Sequence, residues 1–132
     1  MLLGDTNVLL DVLPTDPQWA DWSIRALCAQ AQLHELVINP VVYAELSLSF
    51  TTLESPDRVV GTMELSMHEV PRPALFLAGK AFAQYWRRGG VKTQVLPDFV
   101  IGAHAAVLGW PLLTRDAARY RSYFPTLQVI AP

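Results

Sequence analysis

Apolar positions along the chain fall into two kinds of run. Short blocks of leucine and β-branched residues, too brief for helices and without strict alternation, predict buried strands near Leu2 to Gly4, Leu36 to Ile38, Leu112 to Thr114 and Gln128 to Ile130. The stretches between them predict helices over Pro17 to Ala31, Pro40 to Phe50, Pro56 to Leu65, Pro73 to Arg88 and Pro97 to Leu108, with a short one after Asp116. Most of these starts carry proline, which suits a first helical turn because its missing N–H has no partner there anyway. In "TDPQW", "INPVV" and "ESPDR" a capping residue precedes it: Asp16, Asn39 and Ser55. "RRGG" and Gly109 end the fourth and fifth helices, and "MHEVP" is compatible with a short strand or a plain connector.

Strands of this kind, separated by helices, indicate a mostly parallel sheet covered on both faces, an α/β fold with three α/β/α layers. No repeat, low-complexity tract or polar linker divides residues 1–132, so one domain is expected. Such sheets place their sites at the carboxyl ends of strands, where the strand order reverses. Polar groups just after strands therefore carry the most information.

Composition narrows the classes. With 52% apolar and 17% charged residues the chain is neither disordered nor heavily solvated. The formal charge of −2 gives no bulk signal for nucleic acid, although it can conceal separated patches of opposite sign. The lone Cys28 excludes an intramolecular disulfide and a cysteine-based zinc knuckle, and its expected place is in the packing. No signal-peptide pattern and no membrane-spanning run is present, so a cytoplasmic protein is expected.

Four acids fall where the fold predicts a site. Asp5 ends the first strand within "MLLGDTNVLLDVLP", Asp116 follows the fourth in "LLTRD", Asp98 opens a helix in "LPDFVIGAHA", and Glu45 lies one turn into "NPVVYAELSLSF". Individually, Asp5 reads equally as a turn cap and Asp98 as a first-turn acid favoured by the helix dipole, while Asp116 reads more readily as a cap paired with Arg119. Glu45 is harder to explain, since an apolar stretch surrounds it and no nearby cation neutralises it. Together they make one acidic edge. Two unit charges about 4 Å apart repel by about 4 kcal/mol at an effective dielectric near 20, so such a cluster calls for a neutralising ion. All-oxygen donors favour Mg²⁺ or Mn²⁺ over zinc, and that ion in an open cleft suits phosphodiester hydrolysis. Thr6, Asn7 and Thr114 read equally as phosphate or water ligands and as ordinary strand-end hydrogen-bonders.

Taken in order, "DTNVLLD", "INPVVYAEL", "LPDFVIGAHA" and "LLTRDAARYRSYFPTLQVIAP" resemble the PIN-domain family, and within it the VapC-type ribonuclease toxins of bacterial toxin–antitoxin pairs. The resemblance implies a PIN-like fold and an endoribonuclease in which Asp5, Glu45, Asp98 and Asp116 form the catalytic, metal-binding quartet for one or two Mg²⁺ or Mn²⁺ ions. It also implies a cognate antitoxin partner and a homodimer. Thr114 matches the family's hydroxyl residue before the fourth acid. Arg87, Arg88, Lys92, Arg115, Arg119 and Arg121 are the cations placed to steer RNA, with Arg115 beside the pocket residues Thr6, Asn7 and Thr114. For Arg87 and Arg88 a role at the helix C-terminus weighs as much. Trp19, Trp22, Tyr85 and Trp86 recur at helical spacing and read as packing. His34, His68 and His104 form no catalytic pattern and stay outside the mechanism.

Two other classes compete. An aspartyl-phosphate phosphatase or receiver needs a second acid near the first-strand aspartate and a late lysine, whereas this chain has Asn7 there and ends its lysines at Lys92. A non-catalytic module that uses the same groove to hold RNA or protein remains the alternative.

Overall fold

The computed structural model describes residues 1–13, 17–92 and 95–132. The expected cap Asp16 lies outside them. Among the described residues five parallel strands, β1 (Leu2–Gly4), β2 (Leu36–Ile38), β3 (Ser66–Met67), β4 (Leu112–Leu113) and β5 (Val129–Ile130), form one sheet in the order β3-β2-β1-β4-β5. The helices are α1 (Thr6–Val12), α2 (Ala20–Ala31), α3 (Pro40–Ser47), α4 (Glu54–Thr62), α5 (Arg72–Arg87), α6 (Leu96–Leu108) and α7 (Ala118–Tyr123). This is the expected α/β architecture, with every strand pair parallel. The chain leaves β1 toward β2 and β3, then crosses to β4 on the other side of β1. The order therefore reverses between β1 and β4, which is where a cleft belongs.

The sheet is dry. Leu2, Leu3, Val37, Ile38, Leu112 and Leu113 are fully buried, which explains why the strands read as plain apolar runs. Of "MHEVP" only Met67 is strand, the last residue of the edge strand β3: it pairs with Ile38 and is half exposed, and the other four residues are connector. No helix among the described residues is long and apolar enough to cross a membrane.

Four local expectations need correction. No helix was read between Asp5 and Pro14, yet α1 forms there, capped by the Asp5 carboxylate accepting from Thr6 N–H at 2.7 Å. Its Val8 and Leu9 sink into the core, and its acid Asp11 is buried as well. Ser55 is not a cap. Helix α4 starts at Glu54, so Pro56 still falls in the first turn, where no donor is lost. Helix α3 stops at Ser47 because Ser47 Oγ donates to the Tyr43 carbonyl at 2.8 Å and the next three N–H groups reach back only three residues. Cys28 is exposed, since α2 buries Ala20, Ser23 and Leu27 instead.

Asn39 caps α3 as expected, its Oδ1 accepting from Val42 N–H at 2.9 Å. That fixes its amide. Nδ2 then faces the Nδ1 of the fully buried His104 at 3.1 Å, so Nδ1 must accept and the imidazole is neutral with its proton on Nε2. Burial, helped by the nearby His68, holds the His104 pKa below its ordinary value. His104 is thus a packing residue that ties α6 to the start of α3.

Candidate functional site

Asp5 N–H donates to the Leu113 carbonyl at 2.9 Å, which sets the end of β1 beside the end of β4. Asp5, 4% exposed, is the centre of the site. Its Oδ2 accepts from Thr114 Oγ1 and from Tyr120 OH, both at 2.8 Å, and more weakly from Asn7 Nδ2 at 3.4 Å. Its Oδ1 accepts from Thr6 N–H. The Thr114 hydroxyl, having given its proton to Asp5, accepts from Asn7 Nδ2 at 3.3 Å and from Asp116 N–H at 3.1 Å. Asn7 Oδ1 takes the Arg115 N–H at 3.2 Å. The "DTN" and "TRD" stretches therefore interlock through side chains and fix the two strand ends against each other.

A cavity of about 290 Å³ opens here, lined by all four predicted acids, Asp5, Glu45, Asp98 and Asp116, with Thr6 and Asn7. The apolar rim is Leu10 and Leu48, and Ser49, Arg119 and Tyr120 complete the lining. Glu45 comes in on α3 and accepts from Thr6 Oγ1 at 2.7 Å. Asp98 stands in the first turn of α6 and pairs with Arg119 Nη1 at 2.6 Å. Asp116 is exposed at the mouth.

The acids raise one another's pKa. Burial pushes Asp5 above the usual carboxylate range and the Glu45 charge adds to this, against the hydrogen bonds from Thr114, Tyr120 and Thr6. Glu45 is raised by burial and by Asp98. Asp98 is pushed up to about 6 by burial and by the Asp5 charge, with Arg119 opposing. Tyr120, buried against these carboxylates, is held well above its ordinary value and so stays a hydrogen-bond donor. Mutual repulsion in partial burial is what a divalent cation relieves, and the oxygen donors have the chemistry of a hard-cation site. Among the described residues no three acids or histidines are drawn together as a finished ion cage. Thr6 and Arg119 take up the charge of Glu45 and Asp98 instead.

Three sequence readings shift. Arg119 pairs with Asp98 rather than with Asp116, and α7 begins after Ala117 without an acidic cap. Arg115 turns from the cavity to the buried Asp11, 3.2 Å away, and its guanidinium lies 5.4 Å over the Trp19 ring. Thr114 stands behind Asp5, fully buried, rather than in the lining. Tyr120 joins the site without having been among the sequence candidates. A tyrosine one turn beyond the fourth acid carries no signal of its own until tertiary packing lays it on Asp5.

Fold and site together define a PIN domain: the family's model matches residues 2–124, and the chain belongs to the PIN domain family. No curated protein sequence matches it closely enough to count as a relative. Among solved structures it resembles a chain of the VapBC2 complex from Rickettsia felis bound to a promoter DNA fragment, with a TM-score of 0.75 and 17% identity over 99% of this chain and 98% of that one. A chain of the DNA-bound VapBC from Salmonella typhimurium gives 0.68 and 20%, over 98% of this chain and 96% of that one. FitAcB from Neisseria gonorrhoeae gives 0.67 and 19%, again over 98% and 96%. At these identities the likeness speaks to the fold.

Proposed function

We propose that this protein is a divalent-metal-dependent endoribonuclease, a single PIN domain that acts in the cytoplasm as the VapC-type toxin of a toxin–antitoxin pair. The observation that carries the reading is the convergence of Asp5, Glu45, Asp98 and Asp116, from four separate parts of the chain, on one open cavity at the point where the strand order reverses. The toxin role and the antitoxin partner are supported by family membership and by the fold shared with chains of VapBC and FitAB complexes. Dimerisation is compatible with the exposed Leu75, Phe76 and Trp86 on α5.

Asp5, Asp98, Glu45 and Asp116 would hold Mg²⁺ or Mn²⁺, which when bound offsets their charge, orients the phosphodiester and lowers the pKa of an attacking water. Asp5 is held rigid for this. Oδ2 is saturated by Thr114 and Tyr120, and Oδ1 keeps acceptor capacity toward the cavity. Glu45, which reaches the cavity from α3, takes the proton from the attacking water. Arg119 offers its guanidinium to the scissile phosphate's neighbourhood, and Thr6 and Asn7 offer hydrogen bonds.

The test is cleavage of cellular RNA with Mn²⁺ or Mg²⁺, against a chelator control. Cleavage by the wild type should fall at least about 100-fold in Asp5→Ala and Asp98→Ala variants that stay folded. A wild type that cuts no RNA with either ion would favour the non-catalytic module.

A further inference from the structure

We propose that single-stranded RNA leaves the acidic cavity along a run of guanidinium and phenol groups at α5 and α7, Arg119, Tyr85, Tyr123 and Arg88, with Arg88 as its outer anchor. The inference rests on the nuclease reading and names the path its substrate takes.

The run starts inside the cavity. Arg119 pairs with Asp98 at 2.6 Å and places its guanidinium 5.9 Å from the centre of the Tyr85 ring. The Tyr85 and Tyr123 rings lie 6.2 Å apart, edge to face, and Arg88 lies 5.0 Å over Tyr123. The rings themselves pack inward, Tyr85 on Phe82 and Phe99 and Tyr123 on Phe99, so the surfaces left to unpaired bases are the guanidinium planes that cover them, whose charge meets the phosphates. A duplex hides its base faces and has no use for them.

Charge distribution selects this direction. The chain has ten lysines and arginines, and six of them fall between positions 87 and 121. Among the described residues Arg115 and Arg119 alone are in ion pairs, so Arg88 is exposed with no carboxylate to neutralise it. Among the described residues that line the cavity, Arg119 alone is a cation.

The run is also built in advance. After Arg88 the chain turns through Gly89, at φ 88°, and Gly90 closes directly onto the Tyr85 ring, where a β-carbon would collide. Lys92 N–H then donates to Tyr85 OH at 3.2 Å. The "RRGG" sequence thus does more than stop α5, because it fixes Tyr85 beneath Arg119.

Fluorescence anisotropy of a labelled single-stranded RNA of mixed sequence, in chelator so that nothing is cut, tests the path. Arg88→Ala should weaken binding about tenfold and lower the slope of log affinity against log salt by about 0.7. Arg88→Lys should restore the slope and only part of the affinity, since the charge returns without the planar face. Arg58→Ala, on α4 away from the run, should bind as the wild type does. Equal binding of the annealed duplex, or Arg88→Ala binding like the wild type while the wild type cleaves RNA, overturns the path and leaves the nuclease reading standing. Binding that depends on Arg88 in a protein that cuts nothing sinks the nuclease reading and keeps the path. A change of oligomeric state in Arg88→Ala by sedimentation, with RNA affinity unchanged, would make this surface a contact between copies and overturn it.

Discussion

At the scale of single residues, the site is a balance between charge and donors. Asp5 survives in the core because three side chains and one backbone N–H point hydrogens at it. Asp98 has less help, and its carboxyl is pushed up to about 6 from an ordinary 3.8. Between those values the folded state binds more protons than the unfolded chain, so stability falls as pH rises across that window. His104 acts in the other direction: burial lowers its pKa, and acidification below its ordinary 6.5 destabilises the fold. The comparison that isolates Asp98 is therefore wild type against Asp98→Asn. In chelator, the melting temperature of the asparagine variant should gain on the wild type as pH is raised from 4 to 7, and a constant difference would mean that Asp98 is not under electrostatic stress. The four acids were legible in the sequence because each follows a strand or sits in the first turns of a helix. Tyr120 was not, since its hydroxyl meets Asp5 across 115 positions with no local pattern to mark it.

At the scale of elements, close approach of helices decides where the side chains land. Helix α6 reaches α7 through Gly102, where a β-carbon would stand 2.6 Å from Phe124 and 2.9 Å from Tyr120. Gly102→Ala should therefore cost about 1–3 kcal/mol in urea unfolding and move Tyr120 off Asp5. Gly79, in the middle of α5 with nothing within 4 Å, is the control: Gly79→Ala should be neutral or stabilising by up to about 1 kcal/mol. Equal effects at the two sites would refute the packing argument. Strand ends and proline-marked helix starts were readable to within a few residues because they rest on local chemistry. Helix α1 was hidden because its cap Asp5 and its first residues, Thr6 and Asn7, look like a turn, and only their partners Thr114, just after β4, and Glu45 on α3 show them as the opening of a helix.

At the scale of the whole molecule, a chain of net charge −2 gathers four of its twelve acids at the reversal of strand order, with Arg119 among them. The sheet order could be anticipated only as a class. Which strands adjoin β1, and hence which acids meet, depends on pairings between distant segments. The convergence also carries the functional reading, through the claim that these carboxylates form one site for a divalent ion. Calorimetric titration of the metal-free protein with Mn²⁺ at pH 7.5 tests that claim most directly. The account predicts saturable binding of one or two ions, lost in Asp5→Ala and weakened at least about tenfold in Asp98→Asn, which keeps the shape and removes the charge. Absence of binding by the wild type, or binding indifferent to both substitutions, would contradict it.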